Sequence, residues 1–116
     1  MKVLDFDAER ALPISGLGSR AATAVPLTLP DGEAHVVCIR LGRGGVLGRH
    51  PAPVDQVFVV IEGEGWVSGP DRARVPVSAG TAIHWTAGEE HESGSDAGLT
   101  AIVVESERLL PHGRDG

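Results

Sequence analysis

Five histidines are the residues of this chain best able to do chemistry: His35, His50, His84, His91 and His112. An imidazole changes charge near neutral pH and binds metals through either ring nitrogen, so converging histidines make a metal or proton-transfer site. His50, His84 and His91 stand beside glycine-rich turns at strand ends, where barrel-like proteins tend to place their sites. His35 opens an apolar run and is read as structural, and His112 lies in a polar tail and is read as exposed. The single cysteine, Cys38, sits among Val36, Val37 and Ile39; it reads as packing rather than a nucleophile, and it cannot form an internal disulfide. Glu89, Glu90 and Glu92 surround His91, and Glu62 and Glu64 close an apolar run; solvated loop charge is the simplest account of these acids. With no Tyr, two Phe and two Trp, each aromatic carries weight. Phe58 lies two residues after Gln56 and shares its face of a strand. Trp66 and Trp85 are either core fillers or the floor and lid of a small-molecule pocket.

These residues must be positioned by short elements. Sixteen Gly and eight Pro in 116 residues punctuate the chain too often for long helices. Apolar runs predict strands over residues 22–29, 34–41, 46–50, 56–62, 66–68, 72–78, 81–86, 91–95 and 99–105, with a further short strand over residues 1–7. Between them stand turn sequences such as Pro30-Asp31-Gly32, the glycines from Gly42 to Gly45, Gly63-Glu64-Gly65 and Asp96-Ala97-Gly98. Strands of this length and spacing are the mark of an all-β sandwich or barrel. Along 72–78, Ala73, Val75 and Val77 alternate with Arg72, Arg74 and Ser78, which predicts one covered and one wet face. Along 56–62, Val57, Val59 and Ile61 fill one face while Phe58 and Val60 share the other with Gln56 and Glu62. A strand apolar on both sides is covered on both, one by the barrel interior and the other by a second layer, so a homodimer is expected.

Two glycine frames sharpen this picture. Gly44 is followed after five residues by His50, then by Ala52, Gln56 and, six residues further, Gly63. Gly80 is followed at regular spacing by Thr86, Gly88, His91 and Ser95. Together they resemble the two sequence motifs of the cupin family, over residues 34–105. The first cupin motif has Gly, His, His, Glu and Gly at the positions of Gly44, His50, Ala52, Gln56 and Gly63; the second has Gly, Pro, Gly, His and Asn at those of Gly80, Thr86, Gly88, His91 and Ser95. The resemblance implies a double-stranded β-helix, or jelly-roll barrel, as one domain over residues 1–116, with the barrel at 21–106 and a flexible tail at 107–116. It also implies a divalent metal, held in the family by three histidines and a glutamate. Carried over residue by residue, His50 and His91 remain, Ala52 cannot coordinate, and Gln56 offers only a neutral carbonyl oxygen. Such a set disfavours hard ions and leaves Zn²⁺, Ni²⁺, Fe²⁺ or Cu²⁺ as candidate cofactors. His84, between Ile83 and Trp85, is the one candidate to replace what Ala52 lacks, provided its ring points inward.

Composition bounds the partners. A net charge of −6 argues against a nucleic-acid backbone, and no apolar run approaches membrane-spanning length. No secretory signal is legible, so a cytoplasmic setting is expected. Residues 42–48 do not match a dinucleotide fingerprint, and His91 lacks the second histidine of a helical zinc protease. Three functions follow as expectations. The first is a cavity that binds a small organic molecule, with His50, Gln56 and His91 as hydrogen-bond partners. The second is a metal-dependent enzyme of dioxygenase or isomerase type, with Phe58, Trp66 and Trp85 shaping its pocket. The third is a pathway accessory whose fold outlived its site.

Overall fold

The computed structural model describes residues 1–112. A 3-10 turn at Ala8–Arg10 leads into β1 (Leu12–Pro13), β2 (Arg20–Pro26), β3 (Ala34–Pro51), β4 (Asp55–Ser68), β5 (Arg74–Ser78), β6 (Ala82–Trp85), β7 (Glu90–Ser95) and β8 (Leu99–Ser106). All strand pairs are antiparallel.

The barrel closes because two long strands change partners midway. The first half of β3 pairs with β8 from Ala34 to Leu41, and its second half pairs with β7 from Gly45 to Pro51. In the same way β4 pairs with β8 and β6 at its start and with β7 and β5 at its end. The ring β3–β8–β4–β7 therefore returns to β3 and leaves no edge within it. The glycines expected to end strands instead bend them. Gly44 and Gly63 take left-handed φ values of +68° and +81° inside continuous strands, a conformation glycine adopts without penalty. A side chain at Gly63 would overlap the carbonyl of Gly98, just before β8.

Two expectations fail locally. Residues 1–7 form no strand and lie exposed; the N-terminal pairing belongs to Leu12 and Pro13, opposite Ala24 and Thr23. On β5 only Val77 of the three predicted inward residues is buried, and Val75 is 49% exposed. Among the described residues the strand pairs with β4 alone and overhangs the closed ring, which leaves its outer end uncovered by them.

The core lies inside the ring. Phe58, Val60, Ala101, Val103, Leu41 and Trp85 are almost fully buried there. Val57, Val59, Ile102 and Val104 face outward from the same strands and are half-buried. Cys38 lies on this outer side, fully buried between Val25 and Ile102, and burial pushes its thiol above the ordinary value; it packs and is held un-ionised. Leu109 is tied back to the barrel by its amide, which donates to Asp55 Oδ2 (3.0 Å). His112 is exposed, and residues 113–116 of the expected tail lie outside the described residues.

Candidate active cavity

His50 and His91 are register partners on β3 and β7, and both face the barrel interior. A bulge makes this so. Leu47 pairs with Ser93 and His50 with His91, so three steps on β3 match two on β7. Without the extra residue, Leu47 inside would put His50 outside. The bulge turns Arg49 outward, where its guanidinium donates to the Gly69 carbonyl (2.7 Å) and pairs with Glu90 (3.2 Å). It leaves His50 and Leu47 lining one cavity.

Each imidazole is anchored by the backbone. His50 Nδ1–H donates to the Gly48 carbonyl (2.7 Å), and His91 Nδ1–H donates to the Glu89 carbonyl (3.1 Å). This assignment leaves Nε2 of both rings as an acceptor or metal-binding lone pair. Burial pushes the His91 imidazole below the usual histidine value, outweighing the Glu89 carbonyl that favours its charged form; His50 and Arg49 nearby lower it further. His91 is therefore neutral at neutral pH.

Across the cavity, His35, Glu105, Gln56 and Trp85 form one inward row over β3, β8, β4 and β6. Gln56 Nε2 donates to Glu105 Oε1 (3.0 Å). Trp85 stacks on His91 with centroids 4.2 Å apart, and Phe58 meets Trp85 edge-on at 5.8 Å. The cavity volume is about 190 Å³. Its lining is polar at His50, His91, Ser93, Gln56 and Glu105 and apolar at Phe58, Trp85, Leu47, Ile39 and Val103. His50, Gln56, Phe58, Trp85 and His91 thus share one space.

Two candidates lie elsewhere. His84 pairs with Val57 and shares its outer face, because Ile83 and Trp85 take the inward positions. Its Nε2–H donates to the Leu109 carbonyl (2.7 Å), so it ties down the C-terminal segment rather than replacing the histidine missing at Ala52. Trp66 also points outward. It lies over Gly94, where any side chain would strike the indole, and carries the Arg74 guanidinium 3.7 Å above its ring. Ala52 is 2% exposed and belongs to the core, so a methyl group fills the place of the absent ligand. Glu105 was not singled out by sequence. Its only signal is the alternation Ala101, Val103, Glu105, which becomes informative once one of these is known to face inward.

Solved structures with this topology are numerous. The polyketide cyclase RemF from Streptomyces resistomycificus superposes with a TM-score of 0.80 at 22% identity, over 96% of this chain and 82% of that one. A cupin superfamily protein from Desulfitobacterium hafniense gives 0.71 at 12% identity, over 93% and 100%. The chain has the cupin fold. A predicted oxalate decarboxylase from Thermotoga maritima shares this cupin architecture at a TM-score of 0.74 and 19% identity, over 87% and 96%. No family model and no curated protein matches the sequence.

The cupin cavity fits a resident metal only in part. Among the described residues no three His, Cys, Asp or Glu side chains gather as a ligand cluster. The two anchored imidazoles could share a borderline ion such as Zn²⁺, Ni²⁺, Fe²⁺ or Cu²⁺ with the Gln56 carbonyl, but Glu105, the one carboxylate lining the cavity among the described residues, is engaged with Gln56.

Proposed function

We propose that this cupin binds a small organic molecule with one or two rings inside the barrel, its apolar body against Trp85 and Phe58 and a polar substituent at the histidine pole. The carrying observation is one cavity of about 190 Å³ whose lining joins the rings of Trp85 and Phe58 to the polar groups of His50, His91, Gln56 and Glu105. An apolar cavity of ~150 Å³ already accepts benzene, so this volume suits a molecule of that class. Neutral His91 can accept a hydrogen bond from a ligand hydroxyl, and Gln56 presents a carbonyl oxygen whose amide partner is occupied. The likeness to a polyketide cyclase supports an organic ligand of ring-bearing type.

A second reading, a metal-dependent enzyme acting on such a molecule, is favoured by one observation: both Nδ1 atoms are anchored, the arrangement that frees Nε2 for a metal. The proposal also includes a cytoplasmic homodimer formed through the outer face of Val57, Val59, Ile102 and Val104.

The test is a titration with 2-naphthol, followed by Trp85 fluorescence in a Trp66→Phe protein. Saturable quenching at one molecule per chain, weakened at least tenfold by His91→Ala, is the expected result; a tenfold loss is about 1.4 kcal/mol. Quenching that never saturates, in a folded protein, would overturn the reading. Metal content of the purified chain, with His50→Ala beside it, separates the second reading from the first.

A further inference from the structure

The segment joining β1 to β2, residues 14–19, crosses the mouth of the cavity. Ile14 is fixed at one end: its amide donates to the Ala22 carbonyl (2.9 Å) and its side chain packs on the core. Leu17 lines the cavity and yet is 59% exposed, so its side chain is the boundary between interior and solvent. Its backbone is unusual. Gly16, Leu17 and Gly18 take successive φ values of +82°, +56° and +71°. Glycine tolerates this region, but for leucine it costs ~1–2 kcal/mol. A strained residue persists only where its surroundings offset the cost.

What offsets it is a small set of contacts on one site. The Leu17 carbonyl is seated directly against Gly48, so closely that any side chain at Gly48 would overlap it. Gly48 N–H donates to Ser19 Oγ (3.1 Å). Within the segment, Ser19 N–H closes the turn onto the Gly16 carbonyl (2.9 Å). Gly48 is also the residue whose carbonyl holds His50 Nδ1. The seat of the segment and the anchor of the histidine are thus one residue.

We propose that residues 14–19 are the gate of the cavity, with Leu17 as the closing side chain, Gly16 and Gly18 as its pivots and Ser19 as its latch. Closed, Leu17 keeps water from the His50 and His91 pole and selects apolar molecules narrow enough to pass beneath it. Open, it gives up the latch and the strained leucine relaxes, so the two states are close in free energy. The chemical identity of the guest rests on the small-molecule reading above; the gate itself does not, and can be tested without any ligand.

In a Trp66→Phe background, Trp85 is the only tryptophan and is 4% exposed inside the cavity. Its collisional quenching by acrylamide reports how often the mouth opens. Leu17→Ala and Ser19→Ala are each expected to raise the quenching rate about threefold, with circular dichroism unchanged. Gly48→Ala, which unseats the Leu17 carbonyl, is expected to raise it further. Unchanged quenching in folded Leu17→Ala protein would overturn the gate. Stopped-flow binding of 2-naphthol adds a second readout. A gate raises association and dissociation rates together in Leu17→Ala, whereas a mere wall residue raises dissociation alone, a result that would also overturn the proposal. Faster quenching with no 2-naphthol binding to any variant supports the gate and overturns the small-molecule reading instead.

Discussion

His50 and His91 face each other across the β3–β7 pair with ring centroids 4.4 Å apart and planes tilted by 55°, each held through Nδ1 by a backbone carbonyl two residues before it. Two oriented imidazoles at this separation are expected to take Zn²⁺ or Ni²⁺ weakly at one ion per chain. Isothermal titration should show that uptake, and either His50→Ala or His91→Ala should remove it, because a single imidazole with Gln56 leaves too few donors. Uptake that survives both substitutions would place the ion elsewhere.

Ala52 occupies the inward position two residues beyond His50. Ala52→His is expected to tighten Ni²⁺ or Zn²⁺ binding at least tenfold, about 1.4 kcal/mol. The same change forces a ring into a packed core and should cost ~1–3 kcal/mol of stability. Urea unfolding with and without metal separates the two effects: the metal-free midpoint falls, and saturating metal restores it.

Gly63 bends β4 where the strand leaves β8 for its later partners. Gly63→Ala meets both a left-handed φ of +81° and the Gly98 carbonyl. A loss of about 2 kcal/mol or more is expected, seen as a lower urea midpoint with an unchanged slope. A midpoint equal to that of the wild type would show that the ring closes without this bend.

Asp55 accepts two backbone hydrogen bonds, from Ala87 to Oδ1 (2.9 Å) and from Leu109 to Oδ2 (3.0 Å). These bonds, Leu109 first, hold its carboxyl below the usual carboxylate range. A lowered native value stabilises the fold above the unfolded value of about 3.9 and loses that contribution as pH falls through the native one. Asp55→Asn should therefore melt below the wild type at pH 7, with the gap closing towards pH 2. A gap independent of pH would show that the charge of Asp55 contributes nothing.

The outer face of β8 and β4 presents Ile102 and Val104 beside Val59 and Val57. If a second copy covers it, light scattering should give twice the 12.0 kDa chain mass, and Ile102→Glu should return the monomer. A wild-type monomer at high concentration would remove the homodimer from the proposal.

Much of this was legible in the residues alone. The apolar run within 56–62 marked a strand, though its outer face is only half-covered, with Ile61 45% exposed; the resemblance of Gly44, His50, Gln56 and Gly63 with Gly80, Gly88 and His91 to the two cupin motifs implied the jelly-roll barrel and one site for both histidines. Local patterning marks the strand because side chains on a strand alternate with period two. It does not say which face turns inward, nor where an extra residue resets the phase. Only closure of β3, β8, β4 and β7 into a ring sent Trp85 inside and His84 outside, put Trp66 against Gly94 on the exterior, and brought Glu105 to Gln56 from 49 residues away. The bulge before His50 and the seat of Leu17 on Gly48 belong to that same closure, since both depend on strands far apart in sequence meeting in one register.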